Sequence, residues 1–309
     1  MKFKSLPLLA AMSAVSIGLV ALNAKDSAPQ QALSKMDKVK LAVPKEVAKP
    51  KEKRKLLVFS VTRGYRHKSI DLGKKAFKML GEETGAFEVV VSDELSNFEK
   101  EKIGQFDAIC FLNTTLEVFR PKKVKGVTLS NEEKLKIEET EKRLQGNLLA
   151  FLKNGGGFVG IHAATDTFYK WPEYGEMLGG YFNGHPWGSG TDVVIKQDET
   201  ATDNPIVSAM GKESLSFKEE IYQFKEPYNS KKLDMLLRLD TEKSNMKVRG
   251  IKRTDGDFGV GWTKSYGEGR VFYCSLGHNE HIYWNPKVMS IYLNGIQWAM
   301  GDLELGVKN

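Results

Sequence analysis

Runs dominated by apolar residues are the feature that most constrains the fold of this chain. Three of them lie at 55–61, 106–112 and 158–161. Such runs are typical of central parallel strands, which are covered by helices on both faces. Helical patterns at 69–84 and 130–153 separate one run from the next. Strands that alternate with helices predict right-handed βαβ units and a three-layer α/β fold with a mostly parallel sheet.

The second half of the chain predicts antiparallel strands added to this sheet. The remaining predicted strands cover 87–91, 191–196, 216–224, 233–239, 259–264 and 270–276, and the remaining predicted helices cover 172–180 and 286–300. The turn at 266–269 is typical of a hairpin that joins the last two strands. The long helix at 130–153 begins with a capping box, and Gly146 is a point where it could split. We therefore expect one domain over 55–303.

The first 24 residues predict an export signal. Lys2 and Lys4 precede an apolar run from about 6 to 22, and Ala24 is a small residue at a plausible cleavage point. The alternative is an uncleaved anchor, but the run is short for a bilayer span. We expect cleavage, a periplasmic or secreted protein, and no membrane span in the mature chain.

Residues 25–54 predict a disordered basic linker that is dispensable for folding. The segment is rich in Lys, Pro, Ala and Val and has no lasting periodicity. Residues 25–55 carry a net charge of +6 and Lys2 and Lys4 add two more, so the chain's net +7 leaves −1 for 56–309. A basic nucleic-acid face on the domain is therefore not expected, and a DNA-binding regulator is disfavoured. The linker is interpreted as a solvated spacer rather than as a contact for anionic envelope polymers.

The two cysteines, Cys110 and Cys274, both lie in apolar runs that predict buried strands. An oxidising compartment permits a disulfide, but two thiols on central strands are more often separate core residues. Neither cysteine has a second cysteine at metal-binding spacing.

The five histidines lie just after predicted strands or in glycine-rich loops. They are His67, His162, His185, His278 and His281. The carboxyl ends of strands form the ligand crevice in open α/β sheets, so the first four are expected to line one cleft. His281 is interpreted as a structural residue.

Four motifs resemble the ThuA-like (trehalose-utilisation) family. They are GYRHKSI at 64–70, GGGFVGIHAATDTFYKWPEYGEMLGGYFNGHPW at 155–187, EEIYQF at 219–224 and GWTKSYGEGRVFYCSLGH at 261–278. The resemblance implies a flavodoxin-like sheet similar to class I glutamine amidotransferases. It also implies a carbohydrate-related function and a small saccharide ligand. His162 stands where the amidotransferases have their nucleophilic cysteine, so glutaminase chemistry is not expected.

The proposed catalytic residues are His162, Glu220 and Asp166. A histidine can act as acid or base near neutral pH. Asp166 lies four residues after His162, so the two share a face if the turn opens a helix. Glu219 and Glu220 lie on a predicted strand, where only one of them can face the pocket. Glu220 is chosen together with Tyr222, and the alternative, which is as strong for Glu219, is a solvent-facing acidic pair.

The proposed substrate-binding residues are polar or aromatic side chains from the same loops. They are Tyr65, Arg66, His67, His185, Trp187, Tyr222, Trp262 and His278. Trp187, in a glycine-rich loop, is the best candidate for contact with a sugar ring. No cofactor is required by this hypothesis, although a divalent metal held by His67, His162, His185 and His278 is the alternative. The chain is thus predicted to be an enzyme that hydrolyses or isomerises a saccharide or keto-saccharide, and the alternative is a non-catalytic sugar-binding envelope protein.

Overall fold

The structure is a computed structural model that describes Met1, residues 32–211 and residues 213–305. The predicted export signal lies almost wholly outside the described residues. The helices are α1 (Lys35–Leu41), α2 (Ile70–Thr84), α3 (Lys100–Ile103), α4 (Asn131–Lys153), α5 (Pro172–Leu178) and α6 (Pro286–Ala299). The strands are β1 (Lys55–Phe59), β2 (Glu88–Val91), β3 (Ala108–Leu112), β4 (Gly157–Ile161), β5 (Tyr181–Phe182), β6 (Asp192–Gln197), β7 (Leu215–Lys218), β8 (Phe224–Lys225), β9 (Asp234–Leu239), β10 (Gly259–Tyr266) and β11 (Gly269–Cys274).

A nine-stranded sheet runs through the described part of the chain in the order β2-β1-β3-β4-β11-β10-β9-β6-β7. The first five strands in this order are mutually parallel, and each of the last four is antiparallel to its neighbours. Strand β11 belongs to both the parallel and the antiparallel region, because it is parallel to β4 on one side and antiparallel to β10 on the other. The α/β fold class and the added antiparallel strands are confirmed.

Both faces of the parallel strands are covered, as their continuous apolar runs predict. On one face the side chains of Val58 and Cys110 share a core with α2 and α6. On the other face Phe59 and Ile109 share a core with α4. Alternating side chains of one strand therefore enter two different cores, which gives the three layers. Helix α4 runs unbroken through Gly146, and the Ser130–Glu133 capping box forms as expected.

The two cysteines lie on strands β3 and β11 and are both free and fully buried. Strand β4 lies between these two strands, since Cys110 pairs with Val159 and Cys274 pairs with Ile161. The preference for separate core thiols over a disulfide is confirmed.

The segment before β1 differs from the predicted disordered linker over its described residues. Helix α1 begins at a Ser34–Asp37 capping box and buries Val39 and Ala42 in the core that contains α2 and α6. Further along, Arg54 donates to Asp107, which directly precedes β3, and to Asp302 near the end of the domain. Composition missed this because two small apolar residues and one arginine attach a chain that is otherwise basic and exposed.

No helix among the described residues is both long and apolar enough to cross a bilayer.

Candidate functional site

Three histidines and one glutamate converge at the carboxyl ends of the parallel strands. His67 lies on the loop after β1, His162 directly follows β4, and His278 lies four residues beyond β11. Glu220 reaches them from the segment after β7. One ligand atom from each of the four side chains lies within 4.8 Å of all the others. We call His67, His162, Glu220 and His278 the histidine–glutamate cluster.

The backbone at His162 turns sharply, with a φ of 49° in the left-handed region. Pairing of β4 with β11 places it beside Ser275, whose carbonyl oxygen is 2.7 Å from His162 Nδ1. A carbonyl only accepts, so Nδ1 carries the proton and Nε2 keeps its lone pair. Nε2 lies 2.9 Å from the hydroxyl of Tyr222, which donates to it. The side chain of His162 is fully buried and is held as one defined tautomer.

The carboxylate of Glu220 lies close to the imidazole rings of three histidines. Its Oε1 is 3.6 Å from His162 Nε2 and 3.2 Å from His278 Nδ1, and its Oε2 is 3.4 Å from His185 Nδ1. Burial opposes ionisation, but the contacts with His162 and His278 outweigh it and hold the pKa of Glu220 well below its usual range. Burial also disfavours the charged form of His278, yet Glu220 raises the pKa of His278 overall. The glutamate is therefore a carboxylate at neutral pH.

His67 contributes a neutral imidazole to the same space. Burial, together with the nearby His162 and His278 rings, lowers the pKa of His67 to about 2. Its ring centroid is 4.8 Å from that of His162 and 5.0 Å from that of His278, and the rings are nearly perpendicular in both pairs. Its Nδ1 is buried without a hydrogen-bond partner.

Glu219 positions the loop that carries His278. Its carboxylate is fully buried and accepts N–H groups from Gly277 at 3.0 Å, His278 at 2.6 Å and Asn279 at 3.1 Å. Burial raises the pKa of Glu219 to about 7, although these three donors favour the ionised form. The alternative of a solvent-facing acidic pair is wrong for Glu219, because β7 ends at Lys218 and the strand alternation no longer applies where the two glutamates lie.

Gly277 is required by the close packing under the cluster. Its φ is 137°, a region that favours glycine. A Cβ at this position would lie 3.0 Å from Ile161 Cγ2 and 3.1 Å from the hydroxyl of Tyr283. The Gly277 carbonyl also accepts from Ser69 Oγ at 2.8 Å and from Asn113 Nδ2 at 3.1 Å. The loop between β11 and His278 is therefore fixed from several sides.

Exposed side chains lie beside the cluster, and His278 is its one partly exposed member. Tyr65 is 59% exposed and its ring meets the His67 ring edge-on, with centroids 4.8 Å apart. The side chain of His185 is 52% exposed and stacks on Phe182. His278 forms part of the wall of a cavity of about 290 Å³. The other residues that line this cavity are Tyr65, Lys68, Ser189, Asn279 and Glu280.

Asp166 lies on the same short turn as His162 and is only partly buried. That turn is a five-residue 3-10 helix followed by extended chain, so the two residues do not open an α-helix as expected. Asp166 accepts a hydrogen bond from the Tyr169 hydroxyl. Burial raises the pKa of Asp166 to about 6. The hydrogen bond from Tyr169 and the charge of Lys225 act in the opposite direction and lower this pKa.

Three proposed substrate contacts have other partners in the structure. The Trp187 and Trp262 side chains are fully buried, and their indole N–H groups donate to the carbonyls of Asn245 and Leu178. Arg66 is exposed but pairs with Asp71 at 2.8 Å. The tryptophans were proposed because of their loop positions, and core packing explains both of them. His281 lies away from the cluster, with its ring near Phe217.

The supporting residues Glu219, Ser275, Ser69 and Asn113 were not predicted to serve the site. Ser275 acts through its backbone carbonyl, so the identity of its side chain could not have indicated this role in the sequence. Asn113 gave a signal, since it is a polar residue directly after the apolar run at 106–112.

The sequence profile described as ThuA, trehalose utilisation, matches residues 55–299. The chain belongs to the ThuA family. The family's description associates it with carbohydrate use, which agrees with the expected function class. No functionally curated protein matches the chain.

Three solved structures share the fold, and the first two of them are described as ThuA-like proteins. One from Bacteroides uniformis is 22% identical, covers 83% of this chain and 94% of its own, and has a TM-score of 0.60. One from Parabacteroides merdae is 16% identical, covers 81% and 90%, and has a TM-score of 0.51. A cytoplasmic protein from Salmonella typhimurium is 11% identical, covers 80% and 98%, and also has a TM-score of 0.51. At these identities the likeness concerns the fold of the ThuA family.

Proposed function

We propose that this ThuA-family protein is an exported enzyme that hydrolyses or isomerises a saccharide or keto-saccharide by proton transfer. The observation that supports it best is the convergence of the histidine–glutamate cluster with exposed residues on one side. Four polar groups from separate loops meet where open α/β sheets bind ligands. The family's association with trehalose utilisation indicates the substrate class.

The exposed ring of Tyr65 suits a sugar at this site. Aromatic rings with one free face can pack against the C–H groups of a pyranose while hydroxyl groups remain free to hydrogen-bond. Tyr65 lies against His67 and contributes to the cavity wall with His278. A sugar stacked there has its oxygens beside the open side of the cluster.

Proton transfer is assigned to Asp166 and His185 rather than to His162. His162 has no exposed surface, and both of its ring nitrogens already have partners. Asp166 and His185 are partly or largely exposed, and His185 is 3.4 Å from Glu220. The buried cluster would then hold a substrate oxygen while the exposed pair exchanges protons with the substrate.

The test is turnover of a panel of disaccharides, trehalose among them, and their keto derivatives by the purified protein. Products would be followed by NMR for wild type, Asp166→Asn and the control His281→Gln. We expect Asp166→Asn to lower kcat about a hundredfold or more with KM little changed, in line with loss of a positioned acid–base group. His281→Gln should retain wild-type rates.

Two outcomes would contradict this proposal. Sugar binding by calorimetry without turnover would support the non-catalytic sugar-binding alternative. Neither binding nor turnover across the panel would show that the ligand is not a saccharide.

A further inference from the structure

The histidine–glutamate cluster combines three imidazoles and one carboxylate with few hydrogen bonds among them. His278 Nδ1 is 3.2 Å from Glu220 Oε1, yet it is buried without a hydrogen bond of acceptable geometry. His67 Nδ1 is also buried and unpartnered. Buried polar atoms without partners are rare in folded proteins and need an explanation, such as an ion that fills the site.

The donor atoms have the arrangement that a cation requires. Each of the four residues offers one ligand atom, and these atoms lie within 4.8 Å of one another. Metal–ligand distances of about 2.0–2.2 Å place neighbouring ligand atoms about 3–4 Å apart, so the cluster needs only a small contraction. The three rings approach from three directions, because each pair of ring planes is nearly perpendicular.

The residues behind the cluster resemble the supporting shell of known metal centres. A metal-bound histidine usually donates its other N–H to a carbonyl or carboxylate, which fixes the tautomer. His162 does this through Nδ1 to the carbonyl of Ser275, so that Nε2 carries no proton. The Tyr222 hydroxyl donates to Nε2 in this structure, and an ion bound at Nε2 would take the place of that hydrogen bond. Glu219 fixes the backbone of His278 in the same way that supporting carboxylates fix ligand loops.

We propose that His67, His162, Glu220 and His278 bind one divalent transition-metal ion. Three nitrogen donors favour Zn²⁺, Fe²⁺, Co²⁺ or Mn²⁺ over Mg²⁺ and Ca²⁺, which prefer all-oxygen sites. This set differs from the four-histidine alternative considered in the sequence, because Glu220 takes the place of the largely exposed His185. The open side leaves room for a substrate oxygen.

The ion would act in the proposed saccharide chemistry. Its role in turnover rests on the proposed function, whereas the binding of the ion to the cluster does not. A metal ion at this position would polarise a carbonyl or hydroxyl oxygen of the sugar. The buried histidines would then bind the ion, which is consistent with proton transfer by the exposed Asp166 and His185.

The experiment measures metal binding directly on protein purified without a polyhistidine tag. Metal is removed with a chelator, and binding of Zn²⁺ and Co²⁺ is followed by calorimetry and by the visible absorption of bound Co²⁺. The variants are His278→Gln and Glu220→Gln, and the matched control is His281→Gln. His278 is partly exposed, so its variant is expected to fold, which circular dichroism checks for every protein used.

We expect wild type and His281→Gln to bind one ion per chain and to gain thermal stability from it. The two cluster variants should bind at least about a hundredfold more weakly, because loss of supporting residues alone costs 10–100-fold. Absence of stoichiometric binding to the wild type would overturn the proposal, and so would wild-type affinity in both folded cluster variants.

Activity separates this proposal from the proposed function. Full turnover of a saccharide by chelator-treated, metal-free protein would overturn the proposed role of the ion in turnover and leave the enzyme function intact. Stoichiometric metal binding that depends on His278 and Glu220, without turnover of any saccharide, would support the metal site and contradict the enzyme function.

Discussion

Asp166 carries a carboxyl group whose ionisation is disfavoured by the fold. Its ordinary pKa is 3.8, and burial raises it to about 6. Between these two pH values the folded state binds more protons than the unfolded state, so stability falls as pH rises from about 4 to 6. At neutral pH Asp166 is therefore ionised although burial disfavours its charge, and Glu220 is ionised as well.

Replacing Asp166 with Asn should therefore stabilise the protein at neutral pH. The amide keeps the shape of the carboxyl but removes the buried charge, so the variant should gain about 1 kcal/mol at pH 7 after allowance for solvent screening. At pH 4 the difference should nearly disappear. Urea unfolding of both proteins at pH 4, 5, 6 and 7 measures it, and a gap that is constant across this range would show that Asp166 has an ordinary pKa.

At the residue scale the sequence located the polar cluster better than its surroundings. His67, His162 and His278 could be predicted because each lies at or near a strand exit, which the apolar runs define. Glu220 was chosen instead on a predicted strand, together with Tyr222. Trp187 and Trp262 could not be assigned, since a loop tryptophan that points into the core has the same local sequence as one that points outward. The contacts of Glu219 could not be predicted because β7 ends at Lys218, whereas the pattern predicts a strand over 216–224.

At the scale of elements, α1 is the feature that composition does not indicate. Seven residues are too few to form a stable helix alone, so α1 depends on its packing against the domain. Val39 supplies most of that packing, and the Lys38 ammonium lies 5.3 Å from the centre of the Trp284 ring. Lys35 also pairs with Glu280, a residue of the cavity wall beside His278.

Truncation should distinguish the attached segment from the residues before it. A chain that begins at residue 33 keeps α1 and should unfold like the full chain. A chain that begins at residue 44 loses the burial of Val39 and Ala42 and should be less stable by about 2–4 kcal/mol. Val39→Ala in the full chain should cost about 1–2 kcal/mol. Equal unfolding midpoints for the two truncated chains would show that α1 does not support the fold.

At the scale of the whole molecule the sequence predicted the layers and the order of elements. Continuous apolar runs separated by helical patterns leave few arrangements other than a parallel sheet covered on both faces. The two-residue strands β5 and β8 and the attachment of residues 35–54 could not be predicted. They depend on contacts between residues far apart in the chain, such as Arg54 with Asp302, rather than on local pattern.

The rate at which the two buried thiols are labelled measures how often the sheet opens. An alkylating reagent reaches Cys110 or Cys274 only when β3 or β11 is exposed, so the native-state labelling rate reports the free energy of that opening. We expect both thiols to be modified together and very slowly in the intact protein, because strand β4 ties β3 to β11 within one cooperative unit. Mass spectrometry would show unmodified and doubly modified chains with little of the singly modified form. Accumulation of singly labelled chains would mean that the two strands open separately.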